Sequence, residues 1–258
     1  MDQQLSLNLL NKTAYSREDV VKYYREAGAL LDAEKVLFDK LYPVIKDSKI
    51  LDIGIGGGRT TKHLLEISDD YAGVDYVQGF VDETAKRYPK ARVFCGDARD
   101  LHQFADESFD FLLFSYNGLD CVAHDGRLQA IGEFNRVLRK GGTLMFSSHN
   151  RDYKYFKKLP WRWPFRFERK YLIFLLHCLV FYPIHLRMKK FEVFADDHAI
   201  VNDGDHRYSL LLYYVSIEKQ REQLHAAGFS DVGAYSMSGE PVTEDTDSHW
   251  IQYVSTKL

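Results

Sequence analysis

Residues 50–61 read Ile50-Leu51-Asp52-Ile53-Gly54-Ile55-Gly56-Gly57-Gly58-Arg59-Thr60-Thr61, and no other stretch restricts the fold of this chain so strongly. Aliphatic residues around one acid, then glycines at alternating positions, then a polar turn into Lys62-His63-Leu64-Leu65-Glu66, spell a buried strand, a tight loop and a helix start. Positions without a Cβ at Gly54, Gly56 and Gly58 let the backbone approach a ligand closely, and the following helix offers unpaired N–H groups to it. The stretch is a nucleotide cradle. Its spacing is D-x-G-x-G-x-G, whereas the dinucleotide fingerprint needs Gly or Ala five residues after the first glycine, where this chain has Arg59. No P-loop Lys-Ser/Thr follows.

At 258 residues the chain fits one domain with an insertion, and 45% hydrophobic with 28% charged residues is ordinary for a folded soluble protein. A net charge of -3 gives no global pull toward nucleic acid. Cys95, Cys121 and Cys178 lie far apart with no metal-ligand spacing, so reduced thiols and no metal are expected. The start, Met1-Asp2-Gln3-Gln4-Leu5, lacks the basic and apolar regions of a signal peptide, and a cytoplasmic location is expected.

Residues 1–15 read as polar and loose. Ser16 reads as the N-cap of a first helix, and a second carries Val36, Leu37 and Leu41, with Gly28 as a break and Pro43 as a stop. Tyr71-Ala72-Gly73-Val74-Asp75-Tyr76 is a second strand, and Asp75 falls 23 positions after Asp52, close to where a doubly wound fold places the carboxylate that receives ribose hydroxyls. A helix from Gln78 to Tyr88 and a third strand, 91–95, lead into Gly96-Asp97-Ala98-Arg99-Asp100-Leu101. The nearly unbroken apolar run 109–114 fits a central parallel strand, with Ser115, Tyr116 and Asn117 at its carboxyl end, where such sheets bind ligands. A helix over 125–139, capped by Lys140-Gly141-Gly142, precedes a fifth strand, 143–150, that ends in His149 and Asn150.

Taken in series, D-x-G-x-G-x-G, Asp75, Gly96-Asp97-Ala98-x-x-Leu101, Asp106-x-Ser108-Phe109-Asp110, Glu133-Phe134-Asn135-Arg136-Val137-Leu138 with Gly141-Gly142, and Leu224-x-x-Ala227-Gly228-Phe229 resemble the class I S-adenosylmethionine (SAM) methyltransferases. The likeness covers residues 45–150 firmly and 205–258 more loosely. Arg139-Lys140 stands where the family has Lys-Pro, which changes little. The resemblance implies an α/β, Rossmann-like doubly wound seven-stranded sheet in the order 3-2-1-4-5-7-6, with N-terminal helices and a lid inserted between strands five and six. It divides the chain into an N-terminal helical lid (1–44), a SAM-binding core (45–150), an inserted segment (151–204) and the end of the core (205–258). It implies that Gly54, Gly56 and Gly58 wrap the methionine end of SAM and that Asp52 holds its amino-acid part directly or through water. Asp75 with Tyr76 would meet the ribose, and Asp97 and Ala98 the adenine. Leading helices often close over SAM in this family, which makes Tyr15, Tyr23 and Tyr24 lid candidates as well as core candidates.

The insertion is the least expected part. Over 151–190 eleven Lys and Arg face two Asp and Glu, a net of +9, so the remainder carries -12. Within it Trp161-Arg162-Trp163-Pro164-Phe165-Arg166-Phe167 leads into an apolar run, 171–182, shorter than the roughly 20 residues that span a bilayer. A lid, a homodimer contact, or peripheral membrane contact through 161–190 all fit.

The expected activity is methyl transfer from SAM, leaving S-adenosylhomocysteine, to an oxygen or nitrogen of a small-molecule acceptor such as a sugar, a secondary metabolite or a lipid-linked intermediate. His149 and His206 are the candidate general bases. An RNA or protein methyltransferase gripping an acidic partner with the basic insertion, a SAM-binding protein without transfer, and a nicotinamide-dependent reductase are the competing readings.

Overall fold

A computed structural model describes residues 3–26, 28–156 and 169–258. The tryptophans and arginines of 161–167 lie outside them.

Three helices precede the first strand: α1 (Gln3–Tyr15), α2 (Glu18–Glu26) and α3 (Asp32–Ile45). The first corrects the reading of 1–15 as loose. Leu7 and Ala14 are buried, and the buried Asn11 side chain clamps a distant loop by donating to the Leu211 and Cys121 carbonyls and accepting from the Leu211 N–H. Ser16 is not an N-cap, because its hydroxyl donates back to the Lys12 carbonyl at the end of α1. Pro43 stands inside α3 rather than after it.

The core strands are β1 (Ile50–Ile53), β2 (Tyr71–Asp75), β3 (Arg92–Cys95), β4 (Phe109–Phe114) and β5 (Leu138–Asn150). With α4 (Thr61–Ile67), α5 (Gln78–Arg87) and α6 (His124–Val137) between them, they form a parallel sheet in the order β3-β2-β1-β4-β5. The apolar run of β4 divides between two cores: Leu112 and Phe114 pack with Leu51, Ile53 and Phe134 on one face, Phe111 and Leu113 with Ile50, Leu37 and Leu64 on the other. Burial on both faces is why this strand is continuously apolar. Gly141 and Gly142, expected as a helix cap, lie inside β5 beside an irregularity in its pairing with β4.

On the far edge of β5 the closing strands are antiparallel: β10 (Trp250–Lys257) pairs β5 and β9 (Phe229–Tyr235). This is the seven-stranded order, with β10 and β9 as the family's seventh and sixth strands. α8 (Ile217–Ala226) opens with the Ser216 hydroxyl accepting the Lys219 N–H. Residues 193–215 add three further strands to the sheet. Beyond the end of β4, the last residues of β5 pair with β8 (Leu212–Val215), which continues antiparallel into β7 (His198–Val201) and β6 (Val193–Phe194). A 20-residue helix, α7 (Arg169–Met188), precedes them.

Candidate functional site

A cavity of about 320 Å3 lies at the carboxyl ends of β1, β2 and β4 and is closed by residues of α1 and α2. Its floor is the glycine loop. Gly54 (φ 66°) and Gly56 (φ 51°) are both left-handed. A Cβ on Gly54 would stand 2.5 Å from the Phe114 ring, whereas one on Gly56 would meet no protein atom within 4 Å and would project into space a ligand can use. Gly57 also lines the cavity. Gly58 does not: it packs against Tyr88, behind the loop.

Asp75 ends β2 inside this cavity and is 4% exposed. One carboxylate oxygen accepts the Gly56 N–H and the other the Val77 N–H, both at 2.9 Å, so the group is fixed with lone pairs to spare. Burial pushes its pKa up to about 6, against the pull of those N–H groups. Beside it the Tyr76 hydroxyl is buried with no hydrogen-bond partner among the described residues, and a buried orphan donor on a cavity wall is a place for a ligand oxygen or nitrogen. The Lys12 ammonium of α1 stands 5.6 Å over the Tyr76 ring.

Asp97 and Ala98 line the same cavity. The Asp97 carboxylate also receives the Arg99 side chain at 2.6 and 2.9 Å and the Arg99 N–H at 2.9 Å, and these contacts hold it ionised against its partial burial.

Asp52 does not line the cavity with the other two acids, which corrects the expectation that all three converge there. β1 alternates, so Asp52 shares the side of Ile50, and one of its oxygens accepts from Thr60 and Tyr71 at 2.7 and 3.0 Å. Its second oxygen is buried without a partner among the described residues, and burial lifts its pKa to about 7. It braces the loop through Thr60, which does reach the cavity.

Arg59, in the slot where a dinucleotide fold has glycine, lines the cavity. Its guanidinium makes a two-pronged pair with the buried Glu34 of α3, donates to Ser115 at 2.6 Å, and lies 5.1 Å over the Tyr116 ring. Ser115 donates in turn to Glu34. Ser115 and Tyr116 therefore face the cavity, whereas Asn117, 3% exposed, is turned behind it. Tyr116 and Asn117 both adopt φ 56°, a rare conformation for bulky residues that here turns the chain sharply at the cavity rim.

Neither candidate histidine lines the cavity. His206, itself at φ 45°, sits behind the closing aromatics: its Nε2 is 3.1 Å from the Tyr24 hydroxyl, and its ring packs on Tyr15 and Tyr23. Of those tyrosines, Tyr15 and Tyr24 face the cavity, while Tyr23 is 56% exposed. His149 sits beyond Tyr116, with Trp250 between their rings at 5.2 and 5.6 Å. Its Nδ1 is 2.7 Å from the buried Asp120 carboxylate, and its Nε2 is 3.3 Å from the Asn117 amide nitrogen. The carboxylate holds the proton on Nδ1, so Nε2 accepts the Asn117 amide N–H and takes a substrate proton only when the acceptor displaces that contact. Asp120 also pairs with the fully buried Arg127 at 2.6 Å. No sequence signal pointed to Asp120, because the turn that carries it follows no motif. A separate group, His124, Asp197 and His198, brings three metal-ligand atoms within 4.8 Å of one another, yet His124 and His198 stack at 4.1 Å and continue onto Tyr213, which accounts for them as an aromatic stack.

The arrangement can hold a molecule with vicinal hydroxyls at Asp75, a planar ring beside Asp97 and Ala98, and a carboxylate near Arg59. Residues 51–146 match the model of a methyltransferase domain family. A biotin biosynthesis bifunctional protein from Cellvibrio japonicus is 30% identical over 149 residues, 57% of this chain and 28% of that protein. A demethylmenaquinone methyltransferase from Beutenbergia cavernae is 32% identical over 113 residues, 44% of this chain and 42% of that protein. The chain thus spans well under half the length of these relatives. Among solved structures, a TehB-like SAM-dependent methyltransferase from Corynebacterium glutamicum superimposes with a TM-score of 0.60 at 18% identity, covering 95% of this chain and 100% of the other. The 1,6-didemethyltoxoflavin-N1-methyltransferase of Burkholderia thailandensis, solved with 1,6-didemethyltoxoflavin and S-adenosylhomocysteine, gives 0.61 at 16% identity, covering 98% and 89%. At such identities these likenesses speak for the fold.

Proposed function

We propose that this chain, whose residues 51–146 match a methyltransferase domain family, is a class I SAM-dependent methyltransferase that transfers the methyl group of SAM to an oxygen or nitrogen nucleophile of a small organic acceptor. The observation that carries the reading is the Asp75–Gly56 pairing at 2.9 Å, which builds a fixed ribose acceptor into the wall of the glycine-loop cavity. Asp75 receives the two ribose hydroxyls, Asp97 and the Ala98 N–H take the adenine edge, and Arg59 meets the amino-acid carboxylate. Bound SAM supplies a sulfonium-activated methyl, so the residues of the site have only to align the nucleophile behind that carbon and keep water out. Tyr15 and Tyr24 close the cavity from above. The acceptor enters at the rim formed by Tyr116 and Trp250. When the nucleophile is a hydroxyl, its proton leaves toward His149 Nε2, with Asp120 fixing the tautomer and stabilising the imidazolium.

The similarity to a demethylmenaquinone methyltransferase, together with the aromatic rim of Tyr116 and Trp250, favours a flat, partly apolar acceptor. The test is calorimetric titration with SAM and with NADH, followed by release of S-adenosylhomocysteine in a screen of flat hydroxylated and heterocyclic acceptors. Binding of SAM and not NADH, with turnover on at least one acceptor, is expected. Failure of millimolar SAM to bind would overturn the reading.

A further inference from the structure

The outer face of α7 is apolar where a helix of a water-facing domain is polar. Leu172, Ile173, Leu176, Leu179, Val180 and Leu186 are 44–62% exposed and fall on one side of the helix. From 171 to 186 there is no charged residue, a length of about 24 Å, and the stretch is bounded by Arg169 and Lys170 on one side and by Arg187, Lys189 and Lys190 on the other. By length and composition 171–191 could cross a bilayer. The opposite face excludes that: Cys178, His185 and Met188 are buried against the folded domain, and His185 Nδ1 is 2.8 Å from Asn202 Oδ1. One face is committed to protein, and only the other is available to lipid.

We propose that α7 lies flat on the surface of an anionic lipid bilayer, with its aliphatic face in the acyl boundary and its terminal lysines and arginines on the headgroup phosphates. Buried apolar area and paired opposite charge are the two ingredients of such binding, and both are present on one element. The helix is also tied to the cavity roof: Arg207 stacks 5.4 Å over Phe181 of α7, and the adjoining His206 contacts Tyr24. The docking does not rest on methyl transfer.

The experiment is co-sedimentation of the full chain with vesicles of phosphatidylcholine alone and of phosphatidylcholine with 30% phosphatidylglycerol, at low and high salt. Wild type should pellet with the anionic vesicles at least tenfold better than with the neutral ones, and less at high salt. Leu176→Glu with Leu179→Glu, and separately Lys189→Glu with Lys190→Glu, should each abolish that binding while the thermal midpoint and the SAM isotherm stay as in wild type. Equal indifference to both vesicles would overturn the proposal. So would a dimer in light scattering that Leu176→Glu with Leu179→Glu splits without any vesicle binding by wild type, which would give the face to a second copy. The SAM isotherm on the same samples separates failure here from failure of the cavity's assignment.

Discussion

Glu34 of α3 and Arg59 at the end of the glycine loop are joined by contacts of 2.5 and 2.8 Å, with the Glu34 side chain fully buried and that of Arg59 11% exposed. Glu34 also receives the Leu31 N–H and the Ser115 hydroxyl, so one carboxylate ties the N-terminal helices, the loop and the end of β4 together. Removing one partner of such a pair strands a buried charge, which costs about 3–5 kcal/mol, whereas an apolar pair of similar volume is near neutral. Glu34→Ala should therefore lower stability by about 3 kcal/mol, and Glu34→Met with Arg59→Met should recover most of it in a urea double-mutant cycle. A single-variant loss below about 1 kcal/mol would contradict this account of the pair.

Asp75 gives SAM binding a pH dependence. Burial raises its pKa to about 6 in the free protein, and ribose hydroxyls donate to the ionised form. Protonation competes with the ligand, so affinity is full above pH 7 and falls as pH drops through 6, by about tenfold at pH 5. Calorimetry at pH 8 and pH 5 reads this directly. Asp75→Asn should bind weakly at both values and lose the slope.

Asp52 makes the opposite statement about stability. Its pKa, lifted by burial to about 7, lies above that of an unfolded aspartate, so the folded chain holds a proton that the unfolded chain releases. That contribution is full below pH 4 and is lost as pH rises through 7, on the order of 2 kcal/mol between pH 5 and pH 8. Asp52→Asn keeps an acceptor for Thr60 and Tyr71 and should flatten this part of the urea-unfolding profile.

Gly56→Ala separates ligand space from folding. The new methyl meets no protein atom, so the left-handed φ costs only about 1 kcal/mol of stability while the methyl intrudes on the cradle. SAM affinity should fall more than a hundredfold with a nearly unchanged thermal midpoint. Gly54→Ala, facing Phe114 at 2.5 Å, should lose both.

His149→Ala should lower kcat by about 100-fold or more on a hydroxyl acceptor and leave the SAM isotherm intact, as expected of a base outside the donor cavity. Asp120 acts on the reaction only through His149. Asp120→Asn should lower kcat and shift the acidic limb of its pH profile, a change that simple loosening of the fold would not produce. Wild-type turnover by His149→Ala across pH would remove the histidine from the reaction.

The core strands and the positions of Asp75, Asp97 and the glycine loop at strand ends were legible in the chain because each depends on local spacing, a strand, a turn and a helix within a dozen residues; the strand order came only with the resemblance to a family. β1 also held the information that Asp52 faces away from its loop, since the period of two alternates its neighbours, but the motif drew attention to the type of residue rather than to its side of the sheet. α1 escaped notice because Asn11 holds it to Leu211, 200 residues away, and no window of sequence contains that contact.

The sequence alone determined that a buried strand would run through a glycine loop into a helix and that the next strand would end in an acid, because hydrophobic period and turn chemistry are written residue by residue. Only the tertiary structure decided that Glu34 would hold Arg59, that Asp120 would orient His149, that α1 and α2 would roof the cavity and that α7 would turn its leucines outward. Each of these depends on elements distant in the chain meeting in space, and burial, which sets the strength of every charge involved, exists only after they have met.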